Sequence, residues 1–139
     1  MKENELRIGN WINVGGELNQ FTIADFCDIF DNGNKWFKDL FKPIQLTEEW
    51  LLKFGFELYD YEPSEEEGDF IFKDYKKSLD GKTFYYTICE SPYNEWDFGI
   101  KLTWAEQALL SRIKYVHQLQ NLYFALTGEE LILNNKSKL

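Results

Sequence analysis

The clearest pattern of apolar and polar positions lies near the C-terminus, from residue 116 to residue 126. Apolar side chains recur there at spacings of three and four, which predicts one buried stripe on an α-helix. The stripe consists of Val116, Leu119, Tyr123 and Leu126, with Leu122 at its edge. Gly128 follows at the position where a left-handed residue closes a helix, so the helix is predicted to end near Thr127.

The opposite face of this helix carries no charge. No Lys, Arg, Asp or Glu occurs from Tyr115 to Gly128, although 28% of the chain is charged. A solvated helix face normally carries Lys and Glu, so this face is expected to be covered. Either the protein's own sheet covers it, with the amides bonded to backbone groups, or a protein partner or second copy docks there. The candidate binding residues are His117, Gln120, Asn121 and Phe124.

The pattern of the N-terminal third predicts short strands. Residues 6–14 are extended, Gly15-Gly16 is a turn signal, and residues 20–23 can return as a second strand. This pattern predicts a β-hairpin or the start of a small β-barrel. From Ala24 to Phe41 two interpretations compete: residues 26–30 suit a helical turn, whereas residues 31–34 (Asp-Asn-Gly-Asn) suit a hairpin turn. The hairpin is preferred here.

The middle of the chain predicts a short helix over Thr47–Phe54. Thr47 is a candidate N-cap followed by two Glu residues, and Gly55 is a candidate C-terminal stop. A strand at residues 56–61 follows, and then a carboxylate-rich loop at residues 60–69. The remaining pattern is a β-meander: its strands are predicted at residues 70–75, 83–90 and 96–102.

Residues 105–112 allow two interpretations. A capping box at Thr103 and Glu106 would start one long helix running to Leu126, whereas a strand through residues 113–116 would feed a shorter helix. Together these elements predict a single α+β domain over residues 1–139: an N-terminal β-hairpin or small barrel, a short helix, an antiparallel meander and a C-terminal helix packed on the sheet.

Composition narrows the class of protein. Aromatic residues make up 18% of the chain, which predicts a core built from rings. The formal net charge of −9 opposes both a phosphate-binding surface and attachment to anionic membranes. The N-terminus lacks an apolar signal core, and no run reaches the length of a membrane span. Cys27 and Cys89 lie in no metal or redox spacing, so we expect two free, buried thiols in a cytoplasmic protein, with a single disulfide between them as the alternative.

The chain offers little catalytic chemistry. His117 is the only histidine, and a lone helical His among amides is typical of a hydrogen-bonded structural group. Glycine-rich phosphate loops, nucleophile elbows and paired-cysteine motifs are missing from the sequence. Asp28 and Asp39 resemble the ends of a calcium loop, but Phe30 occupies a position that needs an oxygen ligand. We therefore predict no cofactor and no metal.

Three stretches carry a resemblance: Glu5–Asn13 (Glu-Leu-Arg-Ile-Gly-Asn-Trp-Ile-Asn), Pro43–Phe56 (Pro-Ile-Gln-Leu-Thr-Glu-Glu-Trp-Leu-Leu-Lys-Phe-Gly-Phe) and Ile113–Leu131. With them the chain resembles an uncharacterised family of small proteins encoded by Bacteroidota and their phages or mobile elements. In similar proteins the third stretch follows a strand, which counts against the long helix. The resemblance implies a cytoplasmic bacterial or phage-linked context and supplies no activity, ligand or catalytic residue.

The favoured hypothesis is a non-enzymatic binding or adaptor protein. The alternative is a nucleic-acid-linked accessory protein: Trp11, Trp36 and Phe37 could stack on single strands, or the acidic surface could mimic nucleic acid. A third hypothesis is an enzyme that uses His117 with a carboxylate placed by the fold.

Overall fold

The computed structural model describes residues 1–63, 71–79, 82–91, 94–102 and 113–134. Within these ranges the protein is mixed α+β, as predicted, with helices and two antiparallel sheets. The chain divides into two compact units. The first contains Met1–Leu46 and Lys114–Leu131, and the second contains Thr47–Ile113 and Ile132–Leu139. One domain spanning the whole chain stays a prediction, and the units are described in turn.

The first unit contains a three-stranded antiparallel sheet. Its strands are β1 (Trp11–Val14), β2 (Glu17–Gln20) and β3 (Phe41–Lys42), in the order β2-β1-β3. β1 and β2 form a hairpin across Gly15 and Gly16, whose φ values of 60° and 94° favour glycine. Of the two N-terminal predictions, the hairpin is therefore confirmed.

Two helices occupy the stretch where a second hairpin was preferred, so that preference is wrong. They are α1 (Ile23–Asn32) and α2 (Asn34–Leu40). The Thr22 hydroxyl accepts from the Asp25 N–H at 3.3 Å, and the Asp25 carboxylate accepts from the Thr22 N–H at 2.7 Å, which is a capping box. Gly33, at φ 89°, ends α1. Of the four residues that suggested a hairpin turn, only Gly33 lies between the two helices.

Aromatic rings form much of the first unit's core, in agreement with the composition. Phe21, Phe37 and Phe41 are buried there. Phe41 packs edge-on against Phe21, with ring centroids 5.9 Å apart, and stacks on Phe37 at 5.2 Å. The other buried members are Leu6, Ile12 and Ile29.

The second unit begins with the short helix α3 (Glu48–Lys53), in the predicted place. Thr47 is its N-cap residue, but the Thr47 side chain makes no cap hydrogen bond. Gly55 follows at φ 88°, as a helix-ending glycine should.

The predicted meander is confirmed in the second unit. It is a four-stranded antiparallel sheet in the order β4-β5-β6-β7. The strands are β4 (Glu57–Pro63), β5 (Ile71–Leu79), β6 (Lys82–Ser91) and β7 (Asn94–Leu102). Of the carboxylate-rich loop predicted at residues 60–69, residues 60–63 belong to β4 and residues 64–69 lie outside the described residues.

The C-terminal helix α4 spans Val116–Thr127 and ends at Gly128, which is left-handed at φ 74° and ψ 5°. The end matches the prediction, whereas the start was left open between two interpretations. Tyr115 is extended and pairs with Gln45 in an isolated bridge, which excludes one continuous helix running from Thr103. Residues 105–112 lie outside the described residues. α4 contacts β1, so the sheet on which it packs is the N-terminal one.

Candidate functional site

The polar side chains of α4 are engaged inside the first unit. Gln120 is 1% exposed, and its side-chain oxygen accepts from the Trp11 N–H at 2.8 Å. The Gln120 side-chain nitrogen donates to the Gly9 carbonyl oxygen at 3.1 Å. This amide therefore satisfies two backbone groups at the entrance to β1, where a charged side chain would have to be desolvated.

Asn121 ties the N-terminal segment to the same helix face. Its oxygen accepts from the Asn10 amide at 2.8 Å and from the Arg7 guanidinium at 3.0 Å. Its nitrogen donates to the Glu5 carbonyl oxygen at 2.8 Å. The Arg7 guanidinium carbon also lies 4.1 Å from the centroid of the Phe124 ring, in a cation–π arrangement. The N-terminal segment thus covers this end of the α4 face.

His117 is 1% exposed, and neither ring nitrogen has a hydrogen-bond partner among the described residues. Its ring lies nearly parallel to that of Tyr115, with centroids 6.0 Å apart. Burial lowers the pKa of His117; the Glu5 carboxylate opposes this shift, and the N-terminal ammonium adds to it. The ring is therefore neutral at pH 7, and no carboxylate in the described part of the chain orients it as a catalytic base by a hydrogen bond.

Of the four candidate binding residues on α4, His117 and Gln120 are buried and Asn121 is partly buried. Phe124 is 39% exposed. This geometry supports the interpretation in which the protein's own segments cover the uncharged face. That a partner contacts these four residues stays a prediction. Phe124 is the most exposed of the four.

A second apolar surface lies on α1, in the stretch where the sequence pattern favoured a hairpin. Its members Ile23, Phe26, Cys27 and Phe30 follow one another at positions i, i+3, i+4 and i+7, and they are called the α1 ridge from here on. Ile23 is 66% exposed, Phe26 is 40% exposed and Phe30 is 89% exposed. Cys27 is exposed and free. Only Ile29 of this helix is buried. Phe26 packs edge-on against the buried Phe21, with ring centroids 4.6 Å apart, so Ile23 and Phe30 are the large apolar side chains that α1 exposes most.

One carboxylate borders the α1 ridge. At about 100° of rotation per residue, Asp31 follows the ridge next to Cys27, whereas Asp28 lies on nearly the opposite face of α1. Both aspartates are exposed. The third carboxylate of α1, Asp25, takes part in the capping box. The stretch from Thr22 to Asn34 contains no Lys or Arg, and Lys35 follows it.

A sequence signal for the ridge existed. Thr22 and Asp25 have the spacing of a capping box, and the apolar positions after them fit a helix. The preference for a hairpin turn at Gly33 concealed this signal, because a hairpin would have placed alternate side chains on opposite faces.

Two smaller expectations about chemistry are corrected by the structure. Cys27 was expected to be buried but is exposed. Phe37, a candidate base-stacking ring, is buried, while Trp36 is partly buried and packs on Phe41 at 5.5 Å. Asp28 lies on α1 and Asp39 on α2. Among the residues that the structure describes, no group of three or more His, Cys, Asp or Glu could hold a metal ion.

Comparisons of this chain with protein families, with curated proteins and with solved structures find no match. Within the described ranges, none of the helices is both long enough and apolar enough to cross a bilayer.

Proposed function

We propose that the protein is a small non-enzymatic binding or adaptor protein and that the α1 ridge is its docking surface. The observation that carries this proposal is the exposure of Phe30, at 89%, in line with Ile23 and Phe26. Single exposed hydrophobic residues are common on protein surfaces. An apolar row at i, i+3, i+4 and i+7 on one helix is instead the pattern by which helices dock on apolar partner surfaces.

The α1 ridge suits this role better than the uncharged face of α4. Binding energy at interfaces concentrates in a few aromatic and large apolar side chains that become fully covered. The ridge offers two phenylalanines for this purpose. On α4, the amides of Gln120 and Asn121 already bond within the first unit, and Arg7 lies over the ring of Phe124.

The cellular setting is also part of the proposal. The resemblance to small proteins of Bacteroidota and their phages or mobile elements supports a protein that acts in the bacterial cytoplasm on a partner of the host or of the element. The net charge of −9 favours protein partners over nucleic acid.

Site-specific photo-crosslinking in the bacterium that encodes the protein tests this function. A photoreactive phenylalanine analogue replaces Phe30 in one strain and Leu18 in a matched control strain. Leu18 is 54% exposed but lies on β2, off the ridge. We expect position 30, and not position 18, to give a discrete adduct whose protein is identified by mass spectrometry.

The complex is then rebuilt from the two purified proteins. Binding that Phe30→Gln abolishes and Leu18→Gln leaves unchanged supports the proposal. Equal adducts from both positions would reject the ridge as a docking surface, and robust turnover in a broad screen of hydrolase and transferase substrates would reject a non-enzymatic function.

A further inference from the structure

We infer that residues 5–11 form a cover over the uncharged face of α4 and that acid releases this cover through protonation of His117. These residues are called the N-terminal cover from here on. The docking surface proposed on α1 plays no part in this inference. Its support comes from the contacts that hold the cover, from the position of His117 and from the charges around the imidazole.

Side chains of α4 hold the N-terminal cover by its backbone. The Gln120 oxygen accepts from the Trp11 N–H at 2.8 Å, and the Asn121 nitrogen donates to the Glu5 carbonyl oxygen at 2.8 Å. Leu6, which is 4% exposed, anchors the cover in the core of the first unit. Water can replace the hydrogen bonds when the cover leaves α4, so the burial of Leu6 is the main cost of opening.

His117 lies on the stripe of α4 that the N-terminal cover occupies. Positions 117, 120, 121 and 124 fall within about 100° of one another around the helix axis. His117 is 1% exposed, and neither ring nitrogen has a hydrogen-bond partner among the described residues. A protonated imidazole carries two N–H donors, both of which would be buried without an acceptor. The closed cover therefore excludes the charged form of His117.

Two charged groups act on His117 from the N-terminal side. The Glu5 carboxylate favours the protonated ring, and the N-terminal ammonium opposes it. The Glu5 carboxylate accepts from the Lys2 N–H and makes no hydrogen bond to the imidazole. The other charge of the cover, the Arg7 guanidinium, pairs with Glu130. Neither carboxylate is therefore placed to hold the proton of a buried imidazolium.

The other elements packed around this part of α4 bring no ionic partner. The Tyr115 ring lies nearly parallel to the imidazole, with centroids 6.0 Å apart. The Val116 N–H donates to the Ile44 carbonyl oxygen at 2.9 Å. β1 and residues 43–46 contain no Asp, Glu, Lys or Arg, and neither does α4. Hydration in an open state is therefore the remaining way to stabilise the charge.

Opening changes which surface of the first unit is accessible. Departure of the N-terminal cover frees the amides of Gln120 and Asn121. It also removes Arg7 from the ring of Phe124. The candidate binding residues of α4, which are covered at neutral pH, then form an acid-dependent surface.

The expected pH dependence follows from the pKa of His117 in the two states. Burial lowers the pKa in the closed state, whereas a hydrated imidazole in the open state has the ordinary value of about 6.5. Below that value the open state binds more protons, so acid raises the equilibrium constant for opening. For a ring that stays neutral in the closed state, the rise is about tenfold between pH 7.5 and pH 5.5.

Hydrogen exchange measured by NMR tests this opening. The Trp11 amide reports on the cover because its acceptor is the Gln120 side chain of α4. After correction for intrinsic exchange rates, the opening constant at Trp11 should rise about tenfold from pH 7.5 to pH 5.5. The amide of the buried Phe37, which donates to the Gly33 carbonyl oxygen at 3.2 Å, reports on the rest of the unit. Its opening constant should change less than about twofold if the rest of the unit stays folded.

Two variants separate protonation from general weakening of the cover. His117→Leu removes the titrating group, so the opening constant at Trp11 should no longer depend on pH in this range. The control, Leu6→Ala, loosens the anchor of the cover and keeps His117. It should raise opening at both pH values and preserve the tenfold ratio between them.

The wild type alone also decides the inference, because His117 is the only histidine and its NMR signals are unambiguous. We expect the imidazole of the closed protein to stay neutral through pH 6.5. A ring that titrates near pH 6.5 while the Trp11 amide remains protected would overturn the inference. So would a pH-dependent rise at Trp11 that persists in His117→Leu. An equal rise at Trp11 and Phe37 would mean that the whole unit unfolds, which also overturns a local release.

Discussion

At the scale of single residues, His117 stands out because it is buried without a hydrogen-bond partner for either ring nitrogen in the described part of the chain. Leaving a buried polar group unsatisfied costs roughly 1–3 kcal/mol, whereas an apolar side chain of similar size avoids that penalty. We therefore expect His117→Leu to raise the free energy of unfolding at pH 7 by about 1 kcal/mol, as measured by urea denaturation. A destabilised variant would show that the imidazole makes a favourable interaction in solution.

The pH dependence of His117 follows from the direction of its pKa shift. Burial lowers the pKa of the folded protein below the unfolded value of about 6.5, against the opposing effect of Glu5. Below pH 6.5 the unfolded chain therefore binds more protons at His117 than the folded protein does. The contribution of His117 to the free energy of unfolding is present well above pH 6.5 and is lost as the pH falls below that value. His117→Leu should lack this component. Its advantage over the wild type should therefore grow between pH 7 and pH 5, and the many carboxylates serve as a common background in both proteins.

At the scale of elements, two threonines that precede helices make different contributions. Thr22 caps α1 through its side chain, whereas Thr47 at the start of α3 makes no cap hydrogen bond. Thr22→Ala should lower the free energy of unfolding by about 1 kcal/mol. Thr47→Ala, the matched control, should stay within about 0.5 kcal/mol. Denaturant titrations of both variants check this, and equal losses would contradict the difference in capping.

The same scale shows which elements could be predicted from the sequence. The end of α4 was predicted correctly because an uninterrupted apolar stripe stops just before Gly128, a residue suited to left-handed backbone. Its start was left open between Thr103 and Val116. α1 and α2 were missed because Asn32 and Gly33 are equally good residues for a hairpin turn and for a break between two helices. A local pattern cannot separate these cases. The choice between them depends on how Phe37 and Phe41 pack in one core with residues from earlier in the chain.

At the scale of the whole molecule, the distribution of charge along the sequence predicted a covered surface, whereas the apolar pattern did not predict an exposed one. The absence of charge on one face of α4 predicted that the face is covered, and the structure assigns that cover to the first unit's own N-terminal segment. The exposure of the α1 ridge could not be predicted, because sequence periodicity shows which residues share a face and not whether that face meets the core. In α1, Ile29 is buried and Phe26 packs against the buried Phe21, while Ile23 and Phe30 are exposed.

One stability comparison tests which of the two helix faces is free. Phe30 is 89% exposed, so Phe30→Ala should change the free energy of unfolding by no more than about 0.5 kcal/mol. Phe124 is 39% exposed and lies under Arg7. Phe124→Ala should therefore cost about 1–2 kcal/mol, from lost apolar burial and the cation–π contact, which is less than the roughly 3–5 kcal/mol typical of a fully buried Phe.

Urea titrations of the two alanine variants, in the same buffer as the wild type, separate these ranges. A cost near zero for Phe124→Ala would mean that the outer face of α4 is accessible and available for binding a partner. A cost above about 3 kcal/mol for Phe30→Ala would mean that the α1 ridge is covered in solution. The docking surface on α1 requires the opposite order: Phe30 removable without loss of stability, and Phe124 needed to hold the N-terminal segment against α4.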